Sequence, residues 1–475
     1  MHLLLASLAA LFGSAAWSKS LAGRGNAFHY LQSDGQVYGF GLNAKGALGT
    51  GDVADSAFPV QMLGVLGATD IAGGLEHVCI VDQGDAARCV GGQLGQGSAD
   101  STALVQVQGL ASGVAEIHAG DRHSCAVLAS RGVRCWGNNA VGQLGDGTEA
   151  ARYAPVAVLG FESGGAQQIA LGGEHTCVLS TAGRVLCAGG NQYWAIGRSF
   201  PLHVTTMADV NLVPAAAFVA CGTDNTCIVT AAGEVYCWGM SNRGQLGSGR
   251  PTSYVSAPTR PLGLESQAVF AVWMGGNMAY YGLDADGSAM ALGANLKGQL
   301  GLGDTDDRLE ASAKFAGGKQ RVVEIRSGGN TACALFSDKS IQCVGDNEYG
   351  QLGRGVGVSS SLAVLSVEHP TPNPTTSEPT SKPTSKHTPK PTAQVAPEGS
   401  EGSGEEQSSA TTVAVAVAVP LLAAALLLAG GLMLYRSKRR ARKDAVVPKL
   451  QQDVVPVNHA ASVVYPSNDA PQERV

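Results

Sequence analysis

A chain of 475 residues with a formal net charge of −6 has no basic excess, which excludes the electrostatic footprint of a nucleic-acid binder. Glycine supplies 64 residues, about twice its usual share. With 44% of the residues hydrophobic, the chain is neither collagen-like nor wholly disordered.

In chain order, residues 1–18 come first. An apolar run over 3–12 is followed by small residues as far as Ser18, the pattern of a secretory signal peptide cleaved near Ala16 to Ser18, although no Lys or Arg precedes the run.

Residues 19–367 are repetitive. The stretch "RCWGNNAVGQLGDG" (134–147) returns as "EVYCWGMSNRGQLGSG" ending at Gly249, "AMALGANLKGQLGLG" ending at Gly303 and "IQCVGDNEYGQLGRG" ending at Gly355. "RCVGGQLGQG" (88–97) lacks four residues, and "VYGFGLNAKGALGTG" (37–51) and "VLCAGGNQYWAIG" (185–197) are degenerate copies. The apolar residue of the last turn falls at Leu48, Leu94, Leu144, Ile196, Leu246, Leu300 and Leu352, at intervals of 46 to 54 residues. Seven copies at one period indicate a propeller or solenoid rather than one ligand loop.

Ten of the eleven cysteines form five pairs ten residues apart: Cys79 and Cys89, Cys125 and Cys135, Cys177 and Cys187, Cys227 and Cys237, Cys333 and Cys343. A turn signal flanked by alternating β-formers lies inside each interval, as in "CAVLASRGVRC", so each reads as a hairpin. A hairpin sets its ends opposite one another within disulfide reach. In the first repeat the two positions become His29 and Gly39, in the sixth Tyr281 and Ala291, and no repeat keeps one half. Paired loss favours five disulfides over independent reduced core thiols. Cys221 is left over and reads as a buried free thiol rather than an intermolecular bridge.

Each repeat holds four short strands, as in "EIHAGDRHSCAVLASRGVRCWG" followed after the glycine-rich turn by "APVAVLG", and no soluble helix. Leu144 and its equivalents are expected to plug the spaces between blades, with Trp136 and Trp238 beside them. The combination "H-[ST]-C-x-L" followed by "C-W-G-x-N-x-x-G-Q-L-G-x-G" resembles the regulator of chromosome condensation repeat, shared with the bacterial beta-lactamase inhibitor protein of the same fold. The resemblance covers about residues 23–367 and implies an all-β, seven-bladed β-propeller. It also implies a structural role for His77, His123 and His175, because that histidine belongs to the repeat. Members include a guanine-nucleotide exchange factor, light-signalling proteins and enzyme inhibitors, and none of the exchange residues can be matched here.

No nucleophile elbow, paired zinc-ligand motif or phosphate loop is present, so the sequence indicates no enzyme, no cofactor and no metal site. Three histidines in equivalent slots could converge on a metal, and "DADGSAMA" has the flavour of a calcium loop but lacks its later acidic ligand, so it reads as a hairpin turn. Binding residues are sought where the copies disagree. The fourth repeat places Tyr193 and Trp194 in its turn and continues through Arg198 and Phe200; the sixth carries Trp273 and Met274. Aromatic residues and arginine are enriched at interface hot spots, which points to a protein partner at the propeller loops. The alternative is that these aromatics fill gaps left by absent disulfides and glycines.

Residues 368–412 are rich in Pro, Thr and Ser and form a disordered stalk, either O-glycosylated or an unmodified spacer. The 23 uncharged residues from Val413 to Tyr435 are long enough to cross a bilayer as one transmembrane helix. The basic cluster from Arg436 to Lys443 should stay cytoplasmic and is suited to anionic lipid. Residues 436–475 read as a disordered cytoplasmic tail, with Tyr465 and the terminal "ERV" as weak modification and docking signals. Together these expectations describe a type I membrane protein of the plasma membrane or an endomembrane, its propeller ectodomain extracellular or lumenal and receptor- or adhesion-like. The alternatives are a regulator of a small GTPase, which needs a cytosolic propeller with reduced cysteines, and a carbohydrate or cell-wall binding module.

Overall fold

Each ten-residue cysteine interval closes as an antiparallel hairpin. In the third repeat the strand His123–Leu128 turns at Leu128, whose N–H bonds Gly132, and returns as Val133–Gly137 with Cys125 directly opposite Cys135. The other four pairs are opposed in the same way. All five are disulfides in this computed structural model, with Cα atoms 4.0–4.1 Å apart. The structure describes residues 19–361 apart from 93–99, 199–200, 211–212, 284, 312 and 316–319. The segments read as signal peptide, stalk, membrane helix and tail lie outside the described residues, among which no helix is long and apolar enough to cross a membrane.

Seven antiparallel sheets follow one another as blades of a propeller. Blades 1 to 5 (21–61, 68–106, 114–157, 166–209 and 216–259) have four strands each, in sequence order. Blades 6 (269–293) and 7 (322–345) have three. Four strands were expected there too. Among the described residues the place of the fourth is held by isolated bridges, Met290 to Lys314, Gly293 to Arg308 and Gly345 to Ser360. In blade 6 the approaching segment still bonds the third strand: Gly293 and Arg308 exchange both backbone hydrogen bonds at 2.8 and 2.9 Å, and the Phe315 N–H donates to the Ala289 carbonyl at 2.8 Å.

A blade is apolar on both faces, so it finds its core only against its neighbours. Seven apolar clusters result, one at each joint. Between blades 3 and 4, Leu144, Val158 and Phe161 pack with Cys135, Ile169 and Val178. Leu48, Leu144, Ile196, Leu246, Leu300 and Leu352 are all buried, as are Trp136 and Trp238, in the plugging role expected of them; Leu94 lies outside the described residues.

The asparagine of the repeat holds the glycine-rich turn in place, a role not evident beforehand. Asn139 accepts the N–H of Leu144 at 2.9 Å on Oδ1, while its Nδ2 donates to the carbonyls of Thr148 and Ala150, both at 3.0 Å. Asn43, Asn191, Asn295 and Asn347 grip Leu48, Ile196, Leu300 and Leu352 in the same way. The glycine at the end of the cysteine strand is equally constrained: Gly137 has φ +105°, and a Cβ there would lie 2.6 Å from the carbonyl oxygen of Arg122.

The two blades without disulfides use a ring instead. His29 faces Gly39, where a Cβ would stand 2.5 Å from the imidazole, and His29 Nε2 lies 3.1 Å from the Ala47 carbonyl. In blade 6 the expected pairing of Tyr281 with Ala291 is one residue out of register. Ala291 faces Tyr280, and Tyr281 faces Met290. The reason is turn length. Leu283 bonds Ser288, five residues on, where Leu128 in blade 3 bonds Gly132, four on. Tyr280 then donates its hydroxyl to the Gln299 carbonyl at 2.5 Å, the same place in the turn that His29 uses in blade 1.

Two measurements check this architecture. Denatured without reductant, the protein should take up thiol label at Cys221 alone, and after reduction at all eleven cysteines. Asn139→Ala, which leaves a buried N–H without its acceptor, should cost about 3 kcal/mol in thermal or denaturant unfolding.

Candidate functional site

The glycine-rich turn brings each blade against the fourth strand of the next. Its first glycine has φ between +75° and +82° (Gly46, Gly142, Gly244, Gly298 and Gly350), and a Cβ at Gly142 would sit 2.6 Å from the Thr205 Cα. In blade 4 this position is Trp194, which keeps the left-handed conformation at φ +67°. A side chain in that region is rare and strained. The turn is nevertheless preserved, because Trp194 N–H bonds Asn191 and its carbonyl accepts Gly197. With no room for close approach, the indole instead stacks on Tyr254 of blade 5, centroids 5.8 Å apart and planes 17° apart.

The rest of the fourth-repeat cluster gathers there. Tyr193 and Trp194 are half-buried, Arg198 is exposed, and Phe200 lies outside the described residues. Asn191 Nδ2 draws the loop in by bonding the carbonyls of Arg198 and Pro201. Tyr254, 46% exposed, forms with Trp194 an aromatic pair on the outer rim between blades 4 and 5, and the exposed Leu202 lies on the same loop, its carbonyl accepting the Asn191 N–H at 2.7 Å. Tyr254 had no sequence signal: its strand, Thr252–Thr259, reads as ordinary edge.

Trp273 and Met274 do not join it. They sit on the first strand of blade 6, Val269–Met274, and the first strand of each blade lines the central channel. Trp273 is only 8% exposed and packs edge-on against Phe270. These two residues therefore belong to the wall of a cavity of 510 Å³, not to a loop.

The equivalent histidines tie blades together. His77 Nε2 lies 2.8 Å from Ser124 Oγ, His123 Nε2 2.9 Å from Thr176 Oγ1, and His175 Nε2 3.0 Å from Thr226 Oγ1. Thr176 and Thr226 give their own protons to the carbonyls of Gln143 and Ala195, so His123 and His175 are the donors in these pairs. Each imidazole reaches into the next blade, and the three do not share one ligand. Burial holds His77 down to about 4 and His123 and His175 to about 3. His175, Cys177 and Cys221 do bring ligand atoms within 4.8 Å of one another. Cys177, however, is bonded to Cys187 and offers no thiolate. Burial pushes the free Cys221 thiol up to about 12, which leaves it inert.

Two models of the regulator of chromosome condensation (RCC1) repeat match this chain, one over residues 34–81, 133–179 and 232–279, the other over 114–143, 166–193, 217–245 and 322–351. The chain is an RCC1-repeat propeller. It is similar to the ultraviolet-B receptor UVR8 of Arabidopsis thaliana, 27% identical over 362 residues, covering 71% of this chain and 80% of that one. The X-linked retinitis pigmentosa GTPase regulator of Homo sapiens is 34% identical over 114 residues, covering 24% of this chain and 11% of the relative. Among solved structures, Prp20p of Saccharomyces cerevisiae superposes with a TM-score of 0.63 at 19% identity, covering 70% of this chain and 86% of its own, which is a likeness of fold.

Acid should loosen the RCC1 ring. An unfolded histidine takes its proton near pH 6.5, but these buried ones refuse it until about 3 to 4. Stability is therefore complete above pH 7 and falls as pH drops through that window, by about 1 kcal/mol per pH unit per histidine. His123→Asn, which copies Asn225 at the equivalent place in blade 5, should flatten the slope measured by unfolding between pH 7 and 4.

Proposed function

We propose that this RCC1-repeat protein is a non-enzymatic binding module whose propeller is displayed outside the cytosol on a single-pass type I anchor. In this reading residues 1–18 direct export, 368–412 space the ring from the bilayer, and Val413 to Tyr435 cross it. The cluster from Arg436 to Lys443 then lies on the anionic cytoplasmic leaflet. The cysteine arrangement carries the reading: five opposed pairs are bonded within their blades and the eleventh thiol is buried and unreactive. Disulfides in such numbers persist in oxidising compartments and are rare in the cytosol.

The rim between blades 4 and 5 is where the ring meets its protein partner. Five other blades keep glycine at the position of Trp194, so the tryptophan serves something other than the turn. Stacked on Tyr254 and flanked by Tyr193 and Arg198, it offers the residue types that dominate interface energies. The scaffold is rigid, so binding there costs little ordering entropy. A second reading, regulation of a small GTPase, is supported by the similarity to the GTPase regulators over 114 residues, and it demands a cytosolic, reduced propeller.

One experiment separates them. Protease added to intact cells should remove the propeller, and non-reduced full chain extracted from membranes should capture a protein partner after surface cross-linking. Trp194→Gly should keep the melting temperature while lowering capture about tenfold or more. A propeller spared in intact cells but digested once the plasma membrane alone is permeabilised rejects display outside the cytosol, and capture unchanged by the substitution rejects the rim site.

A further inference from the structure

Residues 19–24 reach more of the ring than any blade does. Blade 1 is built wholly from the beginning of the described chain and blade 7 from its end, so the ring closes between two sheets that share no strand among the described residues. An apolar cluster joins them, with Leu21, Phe28 and Phe40 against Ile341 and Leu352. Around it the N-terminal segment forms a polar clasp. The N–H groups of Ser20 and Leu21 both donate to Glu324 Oε2, at 2.9 and 3.1 Å, and Arg326 donates to the Leu21 carbonyl at 3.2 Å. Across the channel, Arg24 pairs with Asp121 of blade 3 and donates to the carbonyls of Leu171 in blade 4 and Gly222 just after the first strand of blade 5.

The clasp ends at Lys19. Its main-chain nitrogen lies 2.8 Å from Asp70 Oδ1, and its Nζ lies 3.1 Å from Asp70 Oδ2 and also reaches the Ile117 carbonyl. Asp70 is 2% exposed and receives the Ile117 N–H at 2.8 Å as well. Asp70, Glu116 and Glu324 are the acidic groups at this mouth, paired with Lys19, Arg131 and Arg326. The nitrogen held on a buried carboxylate is thus that of the first residue after the small-residue stretch that ends at Ser18, where the leader pattern also stops.

We infer that hydrolysis of the Ser18–Lys19 peptide bond is the maturation step that completes this clasp, a site assignment that rests on the exported reading above. Water adds across the bond under a leader-removing peptidase. Ser18 departs as a carboxylate carrying the water oxygen, and the Lys19 nitrogen keeps its own hydrogen and takes up both protons of the water to become an α-ammonium. A neutral amide with one N–H on Asp70 becomes a cation with three. Hydrogen bonds of this charge-assisted kind are about twice as strong as neutral ones, and here the gain falls at the hub joining blades 1, 2, 3 and 7. Before cleavage Asp70 holds one cation, the Lys19 side-chain ammonium, beside a neutral amide; after it, the carboxylate holds both ammonium groups of Lys19.

The test uses full chain purified from membranes. Mass spectrometry of its N-terminus should find Lys19 as the first residue. An acylating reagent at near-neutral pH, where α-amines outreact lysine side chains, should label that amine at least about tenfold more slowly in the native chain than in denaturant with disulfides intact. Asp70→Asn should raise the native rate. Should that variant not fold, the native-to-denatured comparison on the unaltered chain decides alone. A different first residue in a membrane-anchored chain, or equal labelling in both states, overturns the inference and leaves display standing. A cytosolic chain beginning at Met1 overturns both.

Discussion

Each blade of this ring is apolar on both faces and covers neither by itself. Every joint must therefore be made, because one open joint leaves two sheets wet and lengthens the path by which the rest can separate. Six joints follow from chain order. The seventh has no linking segment, and the clasp at residues 19–24 supplies it through Glu324, Arg326 and the apolar cluster around Leu21. Its contacts span about 300 positions of sequence, the most costly closure in loop entropy that this chain makes.

Where the repeat is broken, the structure finds equivalents rather than gaps. His29 and Tyr280 occupy the space of a disulfide and reach the same backbone carbonyl of the following turn. A ring opposite Gly39 or Ala291 has room that it would lack opposite a larger residue, which explains why both members of the pair change together. Trp194 differs from these. It does not fill a void left by a missing neighbour but stands where five blades need no side chain at all, at a backbone conformation that disfavours one.

The polar interior is used for specification. Asparagines hold the plug residue at its N–H in five blades, and histidines kept neutral by burial bridge adjacent blades through serine and threonine hydroxyls. Such groups cost free energy if left unmatched, so each blade accepts its neighbour in one register. The disulfides pin the hairpins from within and the side-chain network fixes their relative setting. The result is a ring in which turn and rim residues vary without disturbing the frame.

The local signals were all legible in the sequence: the period near 50 residues, the hairpins, the five cysteine pairs and the buried leucines. Each depends on neighbours a few residues apart, so spacing is enough. The asparagine was visible as a recurrent letter, replaced by Ser241 in the fifth repeat, but its work was not. Tertiary structure decided the remainder. One extra turn residue moved the blade 6 pair from Tyr281 to Tyr280, because register follows the hydrogen bond that closes the turn. Trp273 and Trp194 look alike as letters, yet one lines the channel and the other the rim, since which strand of a blade a residue occupies sets its distance from the axis. Tyr254, Asp70 and Glu324 carry no signal of their own, for Trp194, Lys19 and Ser20, which meet them, are 60, 51 and 304 positions away.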